Sequence, residues 1–380
     1  MINNEKKLLI VINNAKFFLS HRLSLAKAAK VANYDVHVAT PVSPLIEKIK
    51  EEGFSYHAIQ IDRCGFNPFK DIFALFSLWK LYRRLQPDIV HHVAIKPVLY
   101  GGIAARLAGV PAVVNALTGL GFIFIAQSRY IRILRSILQQ GYKLVFQHKN
   151  TCVIFQNEDD RTQFLQTKLL DPNNSVLIPG SGVSMSAFYP MEEMPGVPRV
   201  ILASRLLWDK GVGEFVEAAK ILKQKKIDAC FILVGGIDSE NPAAINQKQL
   251  EHWESEGLIE WWGESTEMLA IMHRANIVCL PSYREGLPRV LVEAAASGRA
   301  IVTTDVPGCR DVVCDGENGL LVPVKNSEEL ASAIEILIQN PELRKEMGRR
   351  GRARVESKYE LDKINFQTMM VYETLLKKIS

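Results

Sequence analysis

At 380 residues with 48% hydrophobic content, the chain is long enough for two domains, each with its own core. No uninterrupted apolar run of about 18 residues occurs, which argues against a membrane-spanning helix. The formal charge of +5 is unevenly divided: residues 1–190 hold 22 Lys+Arg against 12 Asp+Glu, and residues 191–380 hold 24 against 29. Such a split implies different partners for the two halves. Anionic lipid and a phosphorylated acceptor are the candidates for the basic half. Nucleic acid is the weakest, because no nucleic-acid motif accompanies the charge.

Short apolar strands alternate with helical stretches along the whole chain. Strand patterns cover 7–13, 35–40, 55–61, 88–93, 112–117, 152–157 and 175–180, with helical patterns at 23–32 and 75–85 between them. The N-terminus runs through Lys6 and Lys7 into the first strand without a signal-peptide apolar region, so a cytosolic location is expected. A Pro/Gly/Glu-rich segment at 191–198 reads as a linker, after which the cycle restarts with strands at 199–204, 230–235, 258–263, 277–282 and 300–305. Alternation of this kind predicts an α/β fold with parallel sheets. Two doubly wound Rossmann-like domains facing a central cleft are expected, spanning 1–190 and 191–361. The six cysteines (64, 152, 230, 279, 309 and 314) form no C-x-x-C pair, so buried free thiols are the default.

Glu285 and Glu293, with seven residues between them, carry the strongest functional signal. Glu285 precedes Gly286, Leu287 and Pro288, a loop that should open a helix from Arg289 to Ala296, with Gly298 as its stop. Pro288 is expected in the first turn, and Glu293 about two turns inside. A helix N-terminus favours anions, and the loop leaves the carboxyl end of a predicted strand, where open α/β sheets bind ligands. Two carboxylates flanking an anion site suit a diphosphate carrying hydroxyl-rich rings at both ends, as in a nucleotide sugar. Surface glutamates on a helix would give the same spacing by chance.

Arg205 and Lys210, five apart after the first strand of the second half, offer a planar fork and a point charge to phosphate oxygens. Alone, such a pair reads equally as two solvated cations. Gly235 and Gly236 end one strand and allow either a close ligand approach or a tight turn. Gly263, followed by Glu264, ends the next and could admit a nucleobase, while Trp261 and Trp262 read as core. No Asp-X-Asp triplet is present, so a metal-bridged diphosphate is not indicated. In the first half, Asn14 and Lys16 follow strand one, and His91, His92 and Lys96 end the fourth. Thr118 and Gly119 begin a Gly-X-Gly turn completed by Gly121. The segment 128–149 is helical by spacing, with Arg129, Arg132 and Arg135 beside Ile131, Leu134, Ile137 and Leu138. That pattern suits an interfacial helix on an anionic membrane surface, or a domain helix with a basic solvated face.

Together the segments 181–190, 204–219, 281–313 and 315–323 resemble glycosyltransferase family 4, the retaining transferases of GT-B fold. The segments Leu206–Phe215 and His91–Gly101 are similar to bacterial enzymes that extend undecaprenyl-diphosphate-linked sugars for surface polysaccharides or protein glycans. The resemblance implies a UDP-sugar donor, no metal or other cofactor, and a C-terminal helix at 362–380 packed on the first domain. It implies that Arg205 and Lys210 hold the donor diphosphate, Glu285 the sugar hydroxyls and Glu293 the ribose hydroxyls. Backbone at Gly286, Leu287, Pro288 and Arg289 would touch sugar and phosphates, and Gly235, Gly263 and Glu264 complete the donor set. His92 joins Glu285, Arg205 and Lys210 in the expected catalytic set. Asn14, Lys16, His91, Lys96, Thr118 and Gly119 are expected on the acceptor side. The chain departs from the family in two places. Asn13, Asn14 and Ala15 replace a glycine-rich turn, and His91-His92-Val93 replaces His-X-His, so either histidine is open for the catalytic role. A UDP-N-acetylglucosamine 2-epimerase and a non-catalytic sugar-nucleotide-binding partner of a glycan assembly complex are the rival readings. A Rossmann dehydrogenase is poorly supported, since no G-x-G-x-x-G follows strand one.

Overall fold

The computed structural model describes residues 5–62, 65, 67–119, 129–239 and 241–379, with side chains between 129 and 137 outside the description. Two compact units divide the chain: one takes residues 1–181 and 364–380, the other 182–363.

The first unit holds strands β1 (Lys6–Ile12), β2 (Tyr34–Thr40), β3 (Ser55–Ala58), β4 (Ile89–Val93), β5 (Ala112–Leu117), β6 (Thr151–Phe155) and β7 (Ser175–Leu177). They form one sheet in the order β3-β2-β1-β4-β5-β6-β7, and every neighbouring pair is parallel. Leu8 to Ile12 are all fully buried, because helices cover both faces of the sheet. One face packs Leu9, Val11 and Val90 against the helices Pro68–Leu85 and Arg129–Phe146, through Leu78, Tyr82 and Tyr142. The other packs Leu8, Ile10 and Ile12 against Phe18, Leu25 and the C-terminal helix Leu361–Lys377.

That last helix supplies Ile364, Met369, Tyr372 and Leu375 to the first unit's core. Tyr372 is fully buried with its hydroxyl 2.5 Å from Nδ1 of His91, and Asn150 donates from Nδ2 to the Leu375 carbonyl at 2.9 Å. A helix distant in sequence thus completes one face of the first sheet.

The second unit holds β8 (Arg199–Ala203), β9 (Cys230–Val234), β10 (Glu260–Trp261), β11 (Ile277–Leu280), β12 (Ala300–Thr304) and β13 (Leu320–Val322). Their order is β10-β9-β8-β11-β12-β13, again all parallel. Strand order reverses between β8 and β11 here, and between β1 and β4 in the first sheet. These are the switch points at which the loops diverge and leave a crevice beyond the strands.

The division falls nine residues before the expected boundary. Val183 donates to the Tyr359 carbonyl at 2.9 Å, and Phe188 sits in the second unit's core. The segment at 191–198 is likewise tied down rather than free. Glu193 receives the Arg344 guanidinium at 2.5–3.1 Å and Nδ2 of Asn276 at 3.0 Å, which holds its carboxyl below the usual range despite burial. Predicted strands at 55–61, 175–180 and 258–263 are shorter than expected because their ends turn into loops.

Tyr372→Ala is expected to cost about 3–5 kcal/mol by opening a cavity under the first sheet. Tyr372→Phe, which loses only the hydroxyl, should cost about 1 kcal/mol. Urea unfolding of the two variants beside wild type measures both.

Candidate functional site

The site is built where β8 and β11, neighbours at the second sheet's switch point, release their loops. The β8 loop passes through Arg205 to a short 3-10 turn, Trp208–Lys210, and enters the helix Val212–Gln224 through Gly211. Gly211 has φ of +74°, and a side chain there would collide with the Pro281 carbonyl. Only glycine lets the two loops lie this close.

Four bonds zip the loops together. The Tyr283 amide donates to the Asp209 carbonyl at 2.9 Å, and Ser282 Oγ donates to the same carbonyl at 3.2 Å. The Tyr283 hydroxyl donates to Glu214 at 2.5 Å, and Lys210 Nζ lies 2.5 Å from Glu285 Oε1. The Lys210 and Glu285 side chains are only 15% and 14% exposed, so each shields the other's charge from an incompletely solvated setting. Residues chosen separately, as a phosphate cation and a sugar-binding carboxylate, therefore form one ion pair.

The helix Arg289–Ala296 begins as predicted, but Pro288 stands at its cap rather than in its first turn, with φ −73° and ψ 108°. Glu293 is thus about one turn inside, and its 5%-exposed carboxylate receives Nε of Arg289 at 2.6 Å. Burial pushes the Glu293 carboxyl above its usual value, against the pull of Arg289. Gly298 ends the helix with φ of +69°, its amide bonded to the Ala295 carbonyl.

Arg205 is half exposed and reaches Asp238 Oδ2 at 3.0 Å. Asp238 itself is only 9% exposed, so the pair is not a free surface contact, and moving Arg205 onto a phosphate carries the cost of leaving a largely buried carboxylate. Gly235 has φ of +155°, and the place of its side chain is taken by the Ser204 carbonyl, so strand packing rather than ligand approach explains it. Gly263, φ +71°, has open space beside it, and its carbonyl accepts from the Gly235 amide at 2.8 Å. Glu264 is exposed nearby. Trp261 donates from Nε1 to the Gly235 carbonyl, and Trp262 lies under the Arg274 guanidinium at 3.8 Å, so both serve packing.

One functional glycine escaped the sequence reading. Gly308, φ +80°, opens the turn after β12, and a Cβ there would stand 2.6 Å from the Gly286 carbonyl and 2.9 Å from that of Glu285. It backs the Glu285 loop directly. The signal was the Pro-Gly dipeptide at 307–308, which reads as an ordinary turn in sequence.

The first unit corrects three assignments. His92 is fully buried, with Nε2 3.0 Å from the Tyr82 hydroxyl and Nδ1 2.9 Å from Asn115 Oδ1. Burial pushes its imidazole down to about 4, so it is neutral at physiological pH and has no ring nitrogen free for a donor sugar. His91 points to the opposite face, against Tyr372, and burial lowers it well below the usual value. Lys96 is buried on Asp71 at 3.2 Å rather than presented to an acceptor. Alternating side chains on β4 send the two histidines into the two cores. Asn14 caps the helix Ala15–His21, accepting from the Phe17 amide at 3.0 Å. Lys16 is exposed, and Thr118 and Gly119 are half-buried at the end of β5. Gly121 and the side chains of Arg129, Arg132 and Arg135 lie outside the described residues.

Two family models match the chain: a glycosyl transferase 4-like model over residues 7–157 and a glycosyl transferases group 1 model over 192–354. The chain is 29% identical over 383 residues to an N,N'-diacetylbacillosaminyl-diphospho-undecaprenol alpha-1,3-N-acetylgalactosaminyltransferase of Campylobacter jejuni, covering 95% of this chain and 99% of that one. It is 26% identical to an Escherichia coli UDP-Gal:alpha-D-GlcNAc-diphosphoundecaprenol alpha-1,3-galactosyltransferase over 70% of each chain. In fold it is similar to a sucrose-phosphate synthase of Thermosynechococcus elongatus, with a TM-score of 0.79 at 19% identity over 98% of this chain and all of that one.

Gly308→Ala is expected to displace the Glu285 loop and weaken nucleotide binding at least tenfold while the unit stays folded, as titration calorimetry with UDP would read. Glu293→Gln tests the buried carboxylate. A carboxyl whose folded value is raised contributes stability that is full at acid pH and lost as pH rises through that value. The variant's thermal midpoint should therefore gain on wild type between acid and neutral pH, while its UDP affinity falls.

Proposed function

Because the chain belongs to the glycosyltransferases that join a 4-like domain to a group 1 domain, we propose that it moves a hexose or N-acetylhexosamine from a UDP-sugar to a polyprenyl-diphosphate-linked saccharide, with anomeric configuration retained. The Lys210–Glu285 pair at the switch point carries this reading. A cation and a carboxylate held together without ligand can separate onto a diphosphate and a sugar hydroxyl when a nucleotide sugar enters. The substrate classes rest on the names of the two bacterial relatives, which act on diphospho-undecaprenol-linked sugars.

In this mechanism the bond between the donor's anomeric carbon and the diphosphate oxygen breaks as the acceptor hydroxyl forms its bond to that carbon on the same face. The hydroxyl proton passes to the leaving diphosphate, and UDP departs. Arg205 and Lys210 meet the charge that grows on the diphosphate, and the N-terminal amides of the Arg289–Ala296 helix add theirs. Glu285 orients the sugar hydroxyls, and Glu293 takes the ribose hydroxyls in exchange for part of its contact with Arg289. Basic side chains neutralise the diphosphate here, so activity should survive removal of divalent cations by EDTA.

The membrane carrying a polyprenyl acceptor is part of the same proposal. Among the described residues no helix is long and apolar enough to cross a membrane. Docking from the cytoplasmic side through the basic first half is the arrangement the charge split supports.

The test is UDP release from a panel of UDP-hexoses and UDP-N-acetylhexosamines, with and without an undecaprenyl-diphosphate monosaccharide. Acceptor-dependent release with one or two donors is expected. Conversion of a donor to its epimer without acceptor would overturn the transferase reading. Arg205→Ala and Lys210→Ala should each slow turnover roughly ten- to over a hundredfold, the value of one charge-assisted hydrogen bond. Lys210→Ala should also destabilise the fold, since it strands the 14%-exposed Glu285.

A further inference from the structure

The helix Pro68–Leu85 has two faces of opposite character. Ala74, Leu78, Leu81 and Tyr82 are buried on the first sheet, and Asp71 is pinned beside them by Lys96. The outward face begins with four large apolar side chains: Phe69 is 87% exposed, Ile72 69%, Phe73 53% and Phe76 54%. Their spacing of i, i+3, i+4 and i+7 places them in one stripe about 10 Å long. The same face continues with exposed Lys80, Arg83 and Arg84 in the last two turns. Among the described residues nothing covers these four adjacent large apolar side chains, and clustering separates them from the scattered apolar residues of an ordinary surface.

We propose that this helix is the membrane-docking element of the first unit, and that its occupant is the headgroup and upper acyl region of an anionic bilayer. It deepens the peripheral-membrane reading above and rests on it. The occupant follows from charge complementarity. The stripe ends in three cations within a half of the chain that carries 22 basic against 12 acidic residues, which places apolar side chains beside charges that complement anionic headgroups. Amphipathic helices of this composition lie in the interface plane, with apolar side chains 5–10 Å deep and cations level with the phosphates. The buried face and the Asp71–Lys96 pair hold the helix in place, so the stripe is presented without reordering. The motif is separate from the basic segment at 128–149, which the sequence alone had pointed to.

Co-sedimentation with vesicles of phosphatidylcholine, with and without phosphatidylglycerol, tests the assignment. Wild type should bind the anionic vesicles, and Phe69→Ser/Phe73→Ser/Phe76→Ser should bind at least tenfold more weakly. Its UDP affinity should be unchanged and its thermal midpoint nearly so, since each of these side chains is more than half exposed and the described ring contact of Phe76 is with Trp79 of the same helix. A Phe73→Trp reporter should shift its emission to the blue on adding anionic vesicles and be quenched by brominated acyl chains. If wild type binds and the triple variant binds equally, the docking helix is overturned and the membrane reading stands on another surface. If wild type binds neither vesicle, the membrane reading itself falls. A wild-type dimer that becomes monomeric in the triple variant, with no vesicle binding by either, would assign the stripe to self-association instead.

Discussion

A parallel sheet buried on both faces has no room for chemistry on its surface, and that constraint organises both units of this protein. Residues such as Leu8 to Ile12 and Val200 to Leu202 have no exposed atoms to offer a ligand. Polar function is confined to the loops beyond the strands' carboxyl ends. Where strand order reverses, between β8 and β11, two such loops leave in diverging directions but start side by side. Arg205, Lys210, Glu285 and the helix that carries Glu293 all emerge there. The same constraint explains why Gly211 and Gly235 are needed: backbones released this closely collide with any Cβ.

Within the site, the cations are already matched to carboxylates before any ligand arrives. Arg205 has Asp238, Lys210 has Glu285 and Arg289 has Glu293. The three pairs differ in burial, and burial sets what each exchange costs. Arg205 is half exposed but its partner Asp238 is only 9% exposed, whereas both members of the Lys210–Glu285 pair are shielded and separate only when each gains a new partner. A nucleotide sugar offers both at once, a diphosphate to the lysine and hydroxyls to the glutamate. A simple anion offers one, so under the proposed function the pair would discriminate between ligands as well as bind them.

The first unit spends its polar residues differently. His91, His92 and Asn115 lie on the central strands β4 and β5, Lys96 lies just beyond β4, and each described bond ties one element to another. The imidazoles are held neutral by burial, so they act as hydrogen-bonding groups rather than titrating ones. The outer face of the Pro68–Leu85 helix is the reverse case, apolar where solvent would be.

The sequence by itself determined the alternation of strands and helices, the two-domain parallel architecture and the helix Arg289–Ala296, because continuous apolar runs and a Pro–Gly bracket are local signals. It also singled out Arg205, Lys210, Glu285 and Glu293, since charged residues just beyond apolar strands stand out in one dimension. What it did not contain was who meets whom. Lys210 and Glu285 are 75 residues apart, and only the adjacency of β8 and β11 makes them an ion pair. Gly308 supports Glu285 through a backbone approach that no spacing rule encodes. The histidine pair misled because a strand's alternation sends one ring to each face, and whether a face is core or cleft depends on the helices laid over it. The C-terminal helix that buries His91 returns from 281 residues away. Tertiary structure decided these points because burial and charge pairing are properties of neighbours in space.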